Sequence, residues 1–222
     1  MNGTLYIVAT PIGNLEDITL RALRVLKEVD LIACEDTRRT KILLDHFQIF
    51  KPTVSYHQRS KIQKVDFLVS ELLSGKKIAQ VSDAGTPGIS DPGGVLVEQA
   101  LKNGIEVVPL PGPSALTALA SVAGIPMDKF LFLGFLPHKK GRETLFRRIR
   151  ESDVPVIFYE SPHRILKTLE AFRESGGQLI LGRELTKKFE DIFRGSFEEA
   201  IAKFESAQPL GEFVVIYQPG KR

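Results

Sequence analysis

Apolar residues along the first half of the chain fall into short runs of strand length, Leu5 to Ala9, Leu31 to Cys34, Ile78 to Val81 and Glu106 to Pro109. The stretches between them carry apolar positions at helical spacing. Thr19 can cap a helix running to about Val29, and further helical patterns cover Thr37 to His46, Ile62 to Leu73 and Val95 to Lys102. This βαβα order predicts a mostly parallel sheet with helices on its faces, whose right-handed crossovers bring the strand-to-helix loops to one edge. After Pro111-Gly112-Pro113 a helix of small residues, Ser114 to Ala123, ends at Gly124 and Pro126 and reads as a link between two domains, 1–112 and 113–222. Beyond it, Phe130 to Phe135, Val154 to Glu160, Leu179 to Glu184, Asp191 to Gly195 and Glu212 to Tyr217 read as strands with only three helical patterns between them, which predicts a mixed sheet. The expected architecture is two small α/β domains with a cleft between them.

Three loops share the carboxyl edge of the first sheet: Thr10 to Leu15, Glu35 to Thr40, and Ser82 to Gly94. The last, SDAGTPGISDPGG, packs four glycines, two prolines and two aspartates between a strand and a helix. Glycines at such a joint let a ligand approach the backbone, so the segment reads as a binding loop, the alternative being a long turn. The first strand ends in Ala9-Thr10-Pro11-Ile12-Gly13-Asn14, without GxGxxG, and GxxxxGK[ST] is absent. An ordinary dinucleotide site and a P-loop are therefore unsupported, and a ligand here must rely on shape and backbone groups. Glu35-Asp36-Thr37-Arg38-Arg39 places two carboxylates and two guanidiniums on the same edge. Asp36 is a natural N-cap, and a direct role for Asp36 or Arg38 in handling a substrate is compatible with that.

In Tyr159-Glu160-Ser161-Pro162-His163-Arg164 a strand ends, Ser161 can cap, and Pro162 suits a first helical position. That leaves Glu160 as an available acceptor and His163 as a candidate proton carrier, although a lone histidine is more often structural. Gly182 to Lys188 again ends a strand with charge, as a site or as a surface turn. His138 to Arg150 carries six Lys or Arg against one Glu. Leu145, Phe146 and Ile149 fall on one helical face, and Arg147, Arg148 and Arg150 point away from it. The helix can bury one side and offer guanidiniums to an RNA or DNA backbone, or simply solvate the other side.

Composition narrows the setting. The 222 residues are 43% hydrophobic with a net charge of +3, which supplies a core and permits a polyanionic partner without requiring one. No apolar run approaches the roughly 20 residues of a membrane span, and no leader pattern is present, so a cytoplasmic protein is expected. The one cysteine, Cys34, lies in an apolar run. It excludes an internal disulfide, reads as a buried thiol, and leaves no metal cluster in view.

Taken together, LYIVATPIGNLEDIT, EDTRRT, SDAGTPGISDPGG, PGPSA, GFLP, YESPHR and GRELTKKFE closely resemble the tetrapyrrole-methylase-like class of S-adenosylmethionine-dependent methyltransferases, in the branch that acts on ribosomal RNA. These strings span nearly all of the chain. The resemblance implies a cofactor held in the cleft between two domains, a homodimer, and methylation of the ribose 2′-hydroxyl of a decoding-centre cytidine in small-subunit (16S) rRNA. Rival readings are methylation of a tetrapyrrole carbon and a noncatalytic RNA-binding assembly factor. Carried over by motif, the cofactor contacts would be Ile12, Ala84, Gly85, Thr86, Ile89, Ser114 and Ala115, joined by Tyr159 or Glu160 and by Leu185. Asp36, Glu160 and neutral Lys187 are candidate bases by location. Arg38, Lys139, Lys140, Arg142, Arg147, Arg148 and Arg150 are candidate RNA contacts. After Ser55-Tyr56-His57 the chain departs from the family pattern, reading Gln58-Arg59-Ser60, so no substrate contact is assigned there. It also stops at Arg222, short of the helical extension of longer members, which leaves RNA grip to the two domains or the dimer.

Overall fold

The computed structural model describes residues 2–57, 62–91, 93–205 and 209–220. Gln58, Arg59 and Ser60 lie outside the described residues. The chain divides into two compact units, Met1–Ser114 and Ala115–Arg222.

The first unit runs β1 (Thr4–Val8), α1 (Leu20–Glu28), β2 (Leu31–Cys34), α2 (Thr37–His46), β3 (Thr53–Ser55), α3 (Ile62–Leu73), β4 (Ile78–Val81), α4 (Gly94–Lys102) and β5 (Glu106–Leu110). Its sheet has the order β3-β2-β4-β1-β5, every pair parallel. Side-chain alternation explains the layers. Ile32, Cys34, Ala79 and Val81 pack with α1 and α2 on one face, while Leu5, Ala33 and Ile78 pack with α3 and α4 on the other. Strands buried on both faces read as near-continuous apolar runs, LIAC without a break and IAQV broken only by the buried Gln80. Edge strand β3 is three residues long and polar at both ends, so periodicity did not reveal it. The Thr19 hydroxyl accepts from the Ala22 N–H at 3.0 Å and starts α1 where the sequence places it. Cys34 is buried, and burial pushes its thiol pKa up.

The second unit runs α5 (Ala115–Ser121), β6 (Leu131–Phe135), α6 (Arg142–Arg150), β7 (Val156–Glu160), α7 (Ile165–Ala171), β8 (Gln178–Arg183), β9 (Asp191–Gly195), α8 (Phe197–Glu205) and β10 (Phe213–Gln218). Its sheet, β6-β7-β10-β8-β9, is mixed: β6 runs parallel to β7, and the other pairs are antiparallel. Phe158, Leu181 and Val215 pack under α6, α7 and α8. Phe172 anchors that core, with ring centroids 4.8 Å from Phe146, 5.6 Å from Tyr217 and 5.7 Å from Phe197. The sequence starts a helix at Pro162, whereas α7 begins at Ile165. Ser161 to Arg164 instead form a turn in which the Ser161 carbonyl accepts from the Arg164 and Ile165 N–H groups, both at 3.0 Å, and the Ser161 hydroxyl accepts from Arg164 Nε at 3.3 Å.

Because the first sheet is wholly parallel, the loops after β1, β2, β3, β4 and β5 emerge at one edge. One buried tyrosine ties two of them. Gly93 offers no side chain to cap α4, and the Tyr56 hydroxyl, just after β3, accepts from the Leu96 N–H at 3.1 Å. Replacing Tyr56 by Phe removes that acceptor and leaves a buried helix-start N–H unsatisfied. The expected loss is about 1 kcal/mol, read as a lower urea midpoint with an unchanged slope.

Candidate active site

The loops after β1, β4 and β5 are stitched together by backbone groups. Thr10 and Gly85 exchange both of their backbone hydrogen bonds at 2.9 Å, an isolated antiparallel bridge across the edge of a parallel sheet. The Thr10 hydroxyl donates to the Ser82 carbonyl at 3.2 Å, and the Ser82 hydroxyl turns back to the Ala84 and Gly85 carbonyls, both at 3.3 Å. Thr86 Oγ1 donates to the Pro113 carbonyl at 3.2 Å, which ties in the segment before Ser114. Gly85 sits at φ +80, where only glycine is at ease. A Cβ there would stand 3.4 Å from Ile12 Cγ2 and 3.7 Å from the Pro113 oxygen, so an apolar side chain and a peptide carbonyl flank Gly85 at ordinary contact distance. Ile89 adds apolar surface and is 44% exposed. Ile12, Ala84, Gly85, Thr86 and Ile89 are thus brought together with the backbone leading into Ser114.

Beside this cluster, Asp83 Oδ1 accepts from the Asp36 N–H at 3.0 Å and its Oδ2 lies 3.5 Å from Arg39 NH1. Asp83 therefore shapes the loop. The Asp36 carboxylate caps α2, accepting from the Arg38 N–H at 2.8 Å, and also takes the Arg38 guanidinium at 3.0 and 2.6 Å. The Arg38 side chain and then its N–H hold the Asp36 pKa down to about 2. Such a carboxylate is ionised throughout the working range and is a weak base, which argues against the role that location suggested. Arg38, 88% exposed, already spends part of its fork on Asp36. Glu35 behaves oppositely: burial, then the negative charge of Asp83, pushes its pKa up, with the Asp83 N–H, Arg39 and His57 opposing. Sequence reasoning passed over Glu35 because its environment comes from burial and from Asp83, 48 positions later.

In the second unit Glu160 is not the available acceptor that the sequence suggested. It is 1% exposed. One carboxylate oxygen takes Arg164 NH2 at 2.5 Å and the Ser161 N–H at 2.9 Å; the other accepts from Thr168 Oγ1 at 2.7 Å, with Arg142 NH1 at 3.8 Å. Its lone pairs are committed to tying β7, α6 and α7 together, which argues against a base or a cofactor contact. Arg142 is drawn inward with it, donating to the Pro137 carbonyl at 3.1 Å and to Thr168 Oγ1 at 2.8 Å, with its guanidinium 4.6 Å from the Phe146 ring centroid. Arg150 donates to Ser175 Oγ at 3.1 Å and to the Ala171 carbonyl, and covers Phe172. These two arginines brace the helix and are not free for a phosphate. Lys139, Lys140, Arg147 and Arg148 remain exposed along α6 and the turn before it. His163 is exposed in the turn before α7.

Lys187 is not neutral either. Burial acts to lower its pKa, but Glu184 at 2.8 Å and Glu212 at 2.9 Å outweigh it and hold the ammonium charged. Tyr159 packs against Phe132 and Phe135, with centroids 5.2 and 5.4 Å apart. Leu185 is 7% exposed, fitted against Gly182, where a Cβ would come within 2.9 Å of it. Among the described residues no cluster of histidine, cysteine or carboxylate side chains could hold a metal ion, and no helix is long and apolar enough to cross a membrane.

The family model for tetrapyrrole (corrin/porphyrin) methylases matches residues 4–201. The chain belongs to the tetrapyrrole methylase family. Its sequence is 49% identical over 216 residues to ribosomal RNA small subunit methyltransferase I of Thermotoga maritima, covering 96% of this chain and 97% of that protein. It is 48% identical over 224 residues to the protein of the same name from Halalkalibacterium halodurans, covering 97% of this chain and 76% of that one. Solved structures share the fold at low identity. Diphthine synthase superposes with a TM-score of 0.74 at 16% identity, covering 97% of this chain and 90% of that one. Uroporphyrin-III C-methyltransferase from Thermus thermophilus, complexed with S-adenyl homocysteine, superposes at 0.66 and 17%, covering 97% and 98%.

Family members are S-adenosylmethionine-dependent methyltransferases, and the loops of the first unit fit that cofactor. A sulfonium cation with an adenine calls for apolar walls and backbone acceptors without a phosphate cradle. Beside Gly85, Ile12 supplies apolar surface and Pro113 a backbone carbonyl. With Glu160 as a structural tie, Glu160→Ala removes the carboxylate that balances the Arg164 charge and costs about 3 kcal/mol, whereas Glu160→Gln keeps acceptor capacity and loses less. Cofactor affinity of folded Glu160→Gln, measured by calorimetry, should match the wild type, and a tenfold loss at unchanged stability would return Glu160 to the cofactor site.

Proposed function

We propose that this tetrapyrrole methylase transfers a methyl group from S-adenosylmethionine to the ribose 2′-hydroxyl of a decoding-centre cytidine in small-subunit (16S) rRNA, acting as a homodimer in the cytoplasm. The observation that carries this reading is the 49% identity, across 96% of this chain and 97% of the other, to a protein named ribosomal RNA small subunit methyltransferase I. The exposed cations Lys139, Lys140, Arg147 and Arg148 support an RNA partner, with Arg38 as a further, half-committed contact. Ile12, Ala84, Gly85, Thr86, Ile89 and Ser114 of the first unit, and Ala115, Tyr159 and Leu185 of the second, are the proposed cofactor contacts.

The bound cofactor supplies a methyl group already activated by its sulfonium. The protein's main task is then to hold a hydroxyl oxygen in line with it, and positioning of this kind contributes about 7 to 11 kcal/mol. A proton acceptor adds about 10² to 10⁴-fold. Of the carboxylates on the carboxyl edge of the first sheet, Glu35 suits this role better than Asp36, because burial and Asp83 raise its basicity while Arg38 lowers that of Asp36.

Tritium transfer from labelled S-adenosylmethionine to small ribosomal subunits, followed by nucleoside mass spectrometry, should yield 2′-O-methylcytidine. A methylated tetrapyrrole, or no transfer at all, would contradict the proposal. The acid limb of the pH profile gives a second test. A base must be deprotonated, so kcat/KM should rise as pH passes a value above the ordinary carboxylate range, and Glu35→Gln should lower kcat about 100-fold and abolish that limb without weakening cofactor binding.

A further inference from the structure

The connection between β8 and β9 is a strained loop with an exposed ring at its tip. Glu184 and Thr186 sit at φ 51 and 65, in the left-handed region that residues with a side chain seldom occupy. Such strain persists only where neighbours over-determine it, and here they do. The Glu184 N–H donates to the Glu212 carbonyl at 3.0 Å, and the Glu212 N–H returns to Glu184 Oε1 at 2.9 Å. Lys187 bridges both carboxylates at 2.8 and 2.9 Å. The Thr186 N–H donates to Glu190 Oε2 at 2.6 Å, and the Glu190 N–H closes the turn on the Lys187 carbonyl at 3.1 Å. At Gly211 any Cβ would collide with Glu184 Cγ, so the neighbouring chain is fitted to this loop.

The rigid frame turns Leu185 inward and Phe189 outward. Phe189 is 68% exposed, and Lys188 Nζ lies 5.6 Å from its ring centroid. A large aromatic held in water on a rigid loop, with an ammonium beside it, matches what unpaired RNA offers: a base to stack and a phosphate to neutralise. A protein-docking hot spot would instead sit among apolar neighbours, and this ring has the Lys188 ammonium over it and is flanked in the chain by Lys188 and Glu190. We propose that Phe189 is a stacking platform for an unpaired base of the RNA substrate, with Lys188 contacting the adjoining phosphate. The inference rests on the rRNA reading above and adds a substrate contact apart from the basic helix α6.

The test compares Phe189→Ala, Phe189→Tyr and Lys188→Ala in the full chain with small ribosomal subunits and S-adenosylmethionine. Loss of one stacked base is worth about 5- to 150-fold, so Phe189→Ala should raise KM for the subunit by about that range, with cofactor affinity and melting temperature at wild-type values. Phe189→Tyr, which keeps the ring, should restore KM. Lys188→Ala should reduce the slope of log affinity against log salt by about 0.7, one single-strand phosphate contact. Wild-type KM in Phe189→Ala, or a change in its sedimentation in place of a change in KM, would overturn the inference alone. A wild-type protein that transfers no methyl group to the subunit would overturn the rRNA reading and this inference with it.

Discussion

The site in the first unit depends on one reciprocal pair of backbone hydrogen bonds, Thr10 with Gly85. A parallel sheet delivers its strand ends to one edge but does nothing to hold the loops that follow them. Here β1 lies between β4 and β5 in the sheet, so the loop after β1 has the other two as neighbours. The bridge converts that proximity into a fixed register. From it follow the seating of Ile12 against Gly85, the inward turn of the Ser82 hydroxyl, and the attachment of Thr86 to Pro113. Gly85 is required for its positive φ, since a Cβ there would meet Ile12 and the Pro113 carbonyl only at ordinary contact distance.

Charge is handled by the same logic of commitment. The two carboxylates offered as bases by location are bound into local ties, Asp36 to Arg38 and Glu160 to Arg164 and Thr168, and Asp83 is tied to the start of α2. A carboxylate whose oxygens are taken up by donors is held still, which suits a brace better than a proton acceptor. Glu35 differs because burial and a neighbouring negative charge are its leading influences. The distinction between bracing and reactive groups therefore rests on partners, not on residue type or loop position.

What the sequence made legible was whatever is local. Strands buried on both faces announce themselves as apolar runs, Thr19 and Asp36 cap where capping chemistry places them, and the small-residue helix after Pro113 forms as Ala115–Ser121. What stayed hidden needed partners distant in sequence. Glu160 reads as free until Arg142 and Thr168 are brought to it, Lys187 reads as a potential neutral amine until Glu212 arrives from 25 positions away, and Glu35 depends on Asp83. The left-handed residues Glu184 and Thr186 carry no composition signal, because glycine, the residue that would have flagged such a conformation, is absent at both positions. The family strings named the cofactor, and Ile12 with the Pro113 carbonyl beside Gly85 supplies the apolar and backbone groups that a ligand without phosphates calls for.

We propose that the Thr10–Gly85 bridge forms the cofactor cradle in advance of the ligand. Amide hydrogen exchange at Thr10 and Gly85, followed with and without S-adenosylhomocysteine, tests it most directly. Slow exchange at both amides in the free protein, little changed by ligand, is the predicted result. Exchange at open-loop rates until ligand is added would mean that the cofactor builds the bridge, and would contradict the account.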